Sequence, residues 1–348
     1  MSRDHAPSSS SASNSEDIWS KILREKSATS ANQASANSTE TENSSSSGNT
    51  IHQQVIFVGD ASSGKSTLIQ TFIKPNAAKD SKPTVSLDYN FARKTVNNTK
   101  YVANLWEVGG DFLEPKYLEI PITKQTLSSS TIVLTCDLSK PHNVVVSVLR
   151  SISAIREILK RRVSELQATN VLLLNELKGS VAAQFNGHVD ANRVKPTEVP
   201  IVIVGNKFDA MRAMPMGERR LLIQTLRFIA HYFGAALLTV SSNDSVTKDI
   251  YRNVMNAVCF NAGNIKAASD INLDKFVYIT RGQDSFEQIL FSGIHVTPSA
   301  DSSEASKYRL ISQESEFDQY VTNKGVARDC WNRLTDHLAN VFGESDPL

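Results

Sequence analysis

Eight consecutive residues, Gly59-Asp60-Ala61-Ser62-Ser63-Gly64-Lys65-Ser66, carry the most specific chemistry in this sequence. They fit G-x-x-x-x-G-K-[ST], a pattern that holds polyphosphates. Its glycines let the backbone turn so that N–H groups face inward, its lysine reaches the β- and γ-phosphates, and its hydroxyl ligates Mg²⁺. Gly59, Gly64, Lys65 and Ser66 take those roles here, and Asp60, Ser63 and Thr67 complete the candidate contacts. By average composition the four fixed positions coincide by chance in about one chain of this size per hundred. The context agrees, with an apolar run before the loop and an amphipathic one after it.

A second motif, Asn206-Lys207-Phe208-Asp209, directly follows the apolar run VPIVIVG. A carboxylate at the end of such a strand can accept from both the N1–H and the 2-amino group of guanine. Adenine lacks that pair of donors and would leave the carboxylate unpaired. Asn206, Lys207 and Asp209 are therefore the candidate base-recognition residues. Ser241 and Ser242, in VSSND, stand where a backbone contact to the guanine is expected, although Ser242-Asn243 is a weak match for the usual Ala-Lys. The expected cofactor is GTP or GDP with Mg²⁺.

The hydrolytic parts are less complete. Thr84 is the candidate switch threonine, Glu107 the residue that reaches Mg²⁺ through water, and Gly110 a donor to a γ-phosphate. The water-orienting position carries Asp111 in place of glutamine. A carboxylate there lies beside the γ-phosphate charge and cannot donate a hydrogen bond as an amide does. Hydrolysis is expected to be very slow or absent. The nucleotide then reads as a structural plug, with a regulatory GTPase switch as the alternative and a nucleotide-free scaffold as the third possibility.

No rival catalytic set stands out. The seven histidines are scattered, and His231, on an apolar helix, reads as a packing or capping residue. The three cysteines, Cys136, Cys259 and Cys330, are widely spaced and read as free thiols. A net charge of +1 gives no reason to expect a nucleic-acid or membrane surface. No apolar run reaches membrane-spanning length. The final GESDPL carries no cysteine for prenylation, so no membrane anchor is expected.

These residues need elements to hold them. Residues 1–50 are rich in Ser, Asn, Ala and Thr, bury too little apolar surface to offset the entropy of ordering, and are expected to be disordered. One amphipathic island lies within them over 15–28, where Ile18, Trp19, Ile22 and Leu23 share a helical face. Residues 51–292 alternate short Val/Ile/Leu runs with helical segments, which predicts an α/β fold with a mostly parallel sheet covered by helices on both faces. Helices are expected from Asn143 onward, over 217–233 and over 245–260, with one or two long ones inserted at 144–184. FVYITRGQDSFEQIL reads as an edge strand and turn. Residues 293–348 read as a polar linker and a last helix bearing Trp331, Leu334, Leu338 and Phe342 on one face.

Taken together, FVGDASSGKSTL, KPTVSLDY, LWEVGG, VLTCDLSKP, VPIVIVGNKFD, RFIAHYFGA and DSFEQI resemble the dynein light intermediate chain family, in its cytoplasmic dynein 2 branch. RFIAHYFGA and DSFEQI are more specific to that family than the phosphate loop is. The resemblance implies a Ras-like phosphate-loop domain recruited as a non-catalytic motor subunit. It implies binding to the dynein 2 heavy chain and other dynein 2 subunits, and work with intraflagellar transport particles in retrograde transport and cilium assembly. It places the chain in the cytoplasm, the cytoskeleton and the cilium (axoneme and basal body), with microtubules reached indirectly. The Ser-rich leader is longer than that family pattern.

Overall fold

In the computed structural model the described residues are 50–75, 84–110, 115–262, 270–272 and 274–291. The amphipathic island at 15–28, Asp111 and the helix bearing Trp331 lie outside them.

Eight strands form one sheet: β1 (Thr50–Val58), β2 (Leu87–Val96), β3 (Thr99–Val108), β4 (Ser130–Asp137), β5 (Ile201–Asn206), β6 (Ala236–Val240), β7 (Asp270–Asn272) and β8 (Phe276–Ile279). Their order across the sheet is β2-β3-β1-β4-β5-β6-β8-β7. The five strands from β3 to β6 are parallel, and β2, β8 and β7 each join antiparallel. The sheet is thus mostly parallel, as the sequence predicts. The segment read as an edge strand, β8, is not at the edge, because β7 pairs along its outer side.

Alternation along the central strands divides the core into two layers. Ile56, Val58, Ile132, Leu134, Ile201 and Ile203 face one side; Val55, Phe57, Val133, Val202 and Val204 face the other. Because both faces are buried, every residue of such a strand must be apolar, so these strands read as continuous runs.

Eight helices surround the sheet among the described residues: α1 (Lys65–Ile73), α2 (Pro115–Leu118), α3 (Pro141–Thr169), α4 (Val171–Gln184), α5 (Phe208–Met211), α6 (Met216–Tyr232), α7 (Ser245–Phe260) and α8 (Phe286–Phe291). Helices α3 and α6 cover the first layer, and α1 and α7 cover the second. The expected long insertion is two helices. Pro141, pre-set for a first helical turn, opens α3. Asn170 closes α3 and caps α4, its side chain accepting from the Leu173 N–H at 3.1 Å. No helix among the described residues is long and apolar enough to cross a membrane.

Candidate nucleotide-binding site

The phosphate loop joins the end of β1 to the start of α1, so its position is fixed by a buried strand on one side and a helix N-terminus on the other. Gly59 has φ 139° and Gly64 φ 94°. A Cβ on Gly59 would lie 2.0 Å from the Thr135 carbonyl oxygen, and one on Gly64 would lie 2.1 Å from Asn206 Nδ2. Both positions therefore demand glycine. Lys65 is buried, and its ammonium donates to the carbonyls of Gly59 and Asp60 at 2.9 Å each. The charge is held at the mouth of the loop by the loop's own backbone. Asp60 contributes only that carbonyl, since its carboxylate pairs with Arg150 of α3.

The base-recognition residues are tied to the same loop. Asn206 Nδ2 donates to the Ser63 carbonyl at 2.9 Å, and Lys207 Nζ donates to the Ser62 carbonyl at 3.0 Å. Lys207 also pairs with Asp137 Oδ2 at 2.6 Å, from the end of β4. Burial opposes charge on Asp137, but hydrogen bonds from Lys207 and Ser139 outweigh it and hold this carboxyl below its usual range. Asp209 is exposed, and its two oxygens are oriented from the loop after β6: Ser241 Oγ donates at 2.8 Å and Asn243 Nδ2 at 3.2 Å. Ser242 lies between these two donors, half-buried.

The candidate cation residues also converge. Ser66 Oγ donates to Glu107 Oε1 at 2.7 Å, and Thr84 is near enough to the same carboxylate to oppose the rise in its pKa. Burial raises the Glu107 pKa above its usual range, although the Ser66 hydrogen bond and the Lys65 charge pull the other way. A buried oxygen site with one carboxylate and two hydroxyls suits a hard cation such as Mg²⁺. Gly110 closes the outer wall, so near the phosphate loop that a Cβ on it would fall 1.8 Å from the Ala61 nitrogen. Thr67, on the first turn of α1, is half-buried beside Ser66.

The glycine-bound cradle, the lysine at its mouth and the oriented Asp209 carboxylate fit a guanine nucleotide. Three residues of this arrangement escaped sequence reasoning. Asp137 is the last residue of a strand that reads as merely apolar. Arg150 sits mid-helix, and Asn243 departs from the familiar motif. Only the fold brings them to the loop.

The Roc domain family ("Ras of Complex, Roc, domain of DAPkinase") matches residues 54–144, the span that contains the phosphate loop and Glu107. The crystal structure of the conserved domain of a dynein light intermediate chain superposes with a TM-score of 0.52 at 11 % identity, covering 71 % of this chain and 87 % of that one. That likeness establishes the fold. The cytoplasmic dynein 2 light intermediate chain 1 of Homo sapiens is 32 % identical over 238 residues, 68 % of this chain and 67 % of that protein. Its Danio rerio counterpart is 31 % identical over 237 residues, 68 % of this chain and 65 % of that one. The chain belongs to the dynein light intermediate chain family. A Dictyostelium discoideum dynein 1 light intermediate chain 1 is more distant, 26 % identical over 150 residues that make up 42 % of this chain and 26 % of that one.

The segments RFIAHYFGA and DSFEQI meet in the structure. From RFIAHYFGA, on α6, Arg227 forms a two-armed ion pair with Asp284 at 2.8 and 2.7 Å, both side chains nearly inaccessible. From DSFEQI, Phe286 lies edge-on to the His231 ring at 4.7 Å. Asp190 joins them, accepting from His231 Nε2 at 3.0 Å and from the Phe286 N–H at 2.9 Å. His231 is thus a packed, hydrogen-bonded core residue, as its apolar setting predicts. His188 completes the cluster, its Nδ1 accepting from the Asp190 N–H and its Nε2 facing the Asp284 carbonyl. With both His188 nitrogens engaged, the His188–Asp190–His231 group works as a clasp for α8, not as a set of open metal ligands.

Proposed function

We propose that this chain is a non-catalytic subunit of the cytoplasmic dynein 2 motor, gripping the heavy chain beside the other dynein 2 subunits. In this reading it serves retrograde intraflagellar transport and cilium assembly. It works in the cytoplasm, on the cytoskeleton and in the cilium, at the axoneme and basal body. It contacts microtubules and transport particles through the motor. The observation that carries the reading is the 32 % identity to a dynein 2 light intermediate chain across 238 residues.

GTP or GDP would be held by Gly59, Ser63, Gly64, Lys65, Ser66 and Thr67 at the phosphates and by Asn206, Lys207, Asp209, Ser241 and Ser242 at the base. Asp60 would serve through its backbone. Ser66, Thr84 and Glu107, the last through water, would hold Mg²⁺, with the Gly110 N–H close to the outer phosphate. A ligand bound only by the folded form stabilises it by roughly 3–4 kcal/mol when present at a few hundred times its dissociation constant. Asp111 leaves no amide to orient a water, so the nucleotide acts as structure and not as a timer.

The assembled Asn206–Asp209 and Ser66–Thr84–Glu107 groups favour one rival, a regulatory GTPase switch of ciliary traffic. Tagged protein drawn from ciliated cells and analysed by mass spectrometry separates the two. A dynein 2 heavy chain at near-stoichiometric level is expected. An exchange factor or GTPase activator recovered without the motor would give the rival the lead.

A further inference from the structure

A cavity of about 60 Å³ opens between the phosphate loop and the first two turns of α3. At roughly 10–15 Å³ for each water-sized group, it has room for about four non-hydrogen atoms. Asp60 and Ala61 line it from the loop, and Asp137 from the end of β4. The rest of its wall, Asn143, Val144 and Ser147 with Lys140 just before the helix, takes no part in the candidate nucleotide site. Ser147 is 5 % exposed, and its Oγ has no hydrogen-bond partner. A serine side chain is one carbon and one oxygen, so a serine that lines a cavity brings its hydroxyl there. Burying that hydroxyl unpaired is costly, and a group in the cavity that accepts from it removes the cost. Two further donors stand at the same end of α3. The Lys140 ammonium and the Asn143 amide have no side-chain partner among the described residues.

Charge and size decide which group fits. The two carboxylates in the wall are already matched. Asp137 accepts from Lys207 Nζ through one oxygen and from Ser139 Oγ through the other, at 2.6 Å each, and Asp60 is paired with Arg150. Lys140 then leaves one positive charge in excess. The start of α3, a helix of 29 residues, adds the positive end of its dipole. A phosphate, with close to two negative charges and no apolar atom, would press against Asp60 and Asp137. A carboxylate carries a single charge. The carbon that bears it makes up the four atoms and has the Ala61 and Val144 side chains to lie against.

We propose that this cavity binds the carboxylate end of a small organic acid or of an acidic side chain. Ser147 and Asn143 donate to the carboxylate oxygens, Lys140 balances the charge, and Ala61 and Val144 enclose the adjoining carbon. The site stands whether or not a nucleotide is bound, and it meets the phosphate loop at one residue. The Asp60 carbonyl accepts from the Lys65 ammonium at 2.9 Å. An acid in the cavity therefore braces the phosphate loop against α3, beside the Asp60–Arg150 pair.

The test follows the Ala61 and Val144 methyl resonances of the full-length chain during titration with sodium acetate. Sodium chloride at equal ionic strength and neutral acetamide are the controls. A four-atom ligand binds at about the millimolar level, so the titration runs well beyond it. A saturable shift of both methyls with acetate alone is expected. Ser147→Ala should weaken binding about tenfold, and Lys140→Gln about threefold, neither lowering the melting temperature. Ser151→Ala removes another buried, unpartnered hydroxyl one turn further along α3 and should leave binding unchanged. Glutamate blocked at both backbone ends separates the sources. A response like that to acetate assigns the site to a side chain as well, and no response restricts it to free acids. No saturable shift with acetate would leave the cavity to water and overturn the proposal. So would an equal shift with chloride or acetamide, or a response that survives Ser147→Ala. A shift of Ala61 without Val144 would place the acid in the phosphate loop and overturn it too.

Discussion

Glu107 shows most directly how single residues suit this site to a ligand at some cost to the ligand-free fold. The residue is 3 % exposed, and burial drives its carboxyl pKa upward despite Ser66, Lys65 and Thr84. The native state therefore holds this proton more tightly than the unfolded chain does. As pH rises through the ordinary carboxylate value of about 4.3, the unfolded chain binds fewer protons than the native one, and stability falls until the higher native value is passed. At neutral pH the full penalty is in place, and a bound cation would remove it. Glu107→Gln keeps an acceptor for the Ser66 hydroxyl and has no charge to desolvate. Without ligand at pH 7 it should melt about 2–4 °C higher than wild type, on the order of 1 kcal/mol for a domain of this size. It should also lose the part of nucleotide stabilisation that depends on Mg²⁺. A lower melting point without ligand would show that the buried carboxylate supports the empty fold. The motif residues were legible because each set is contiguous and sits where an apolar strand ends. Asp137, Arg150 and Asn243 were not, because their partners are 70, 90 and 34 positions away along the chain.

Helix α8 is held by buried polar contacts as well as by the packing of Phe286 and Ile289. It is six residues long, and its position depends on Arg227–Asp284 and on the Asp190 clasp. Removing one partner of such a buried pair strands the other charge away from water. Asp284→Ala should cost about 3–5 kcal/mol in chemical unfolding; a loss below about 1 kcal/mol would show that Arg227 finds other partners. The clasp also has a sign in pH. Burial lowers the His231 pKa, more than Asp190 and Asp284 raise it, so the native ring resists protonation that the unfolded chain accepts near pH 6.5. Stability should decline as pH falls from about 7 towards 5, and His231→Gln, which can still donate to Asp190, should flatten that decline. An unchanged slope would remove His231 as its source. The central strands and long helices were readable from apolar runs and period. β2 was not, because LDYNFARKTV buries little of either face and shows no apolar run. β7 escaped for a related reason: three residues at an edge carry too little pattern to separate them from a loop, so β8 read as the outermost strand.

At the scale of the whole molecule, a Ras-like phosphate-loop domain occurs in a member of the dynein light intermediate chain family. Its phosphate loop carries every fixed residue of the sequence pattern, while Asp111 stands where the sequence reading expects a water-orienting glutamine. The account that reconciles these is a nucleotide that completes the fold: it neutralises Lys65, ties the ends of β1, β5 and β6 together, and leaves a rigid body for the motor to grip. Thermal melting of purified wild type and Lys65→Ala, each with no ligand, GDP or a non-hydrolysed GTP analogue in Mg²⁺, tests this most directly. The prediction is that both nucleotides raise the wild-type melting temperature by similar amounts, several degrees at saturating ligand. Lys65→Ala should melt lower and respond to neither. No wild-type shift with either nucleotide would make the domain an empty scaffold, and a shift with the GTP analogue alone would make it a switch; both results would contradict the account.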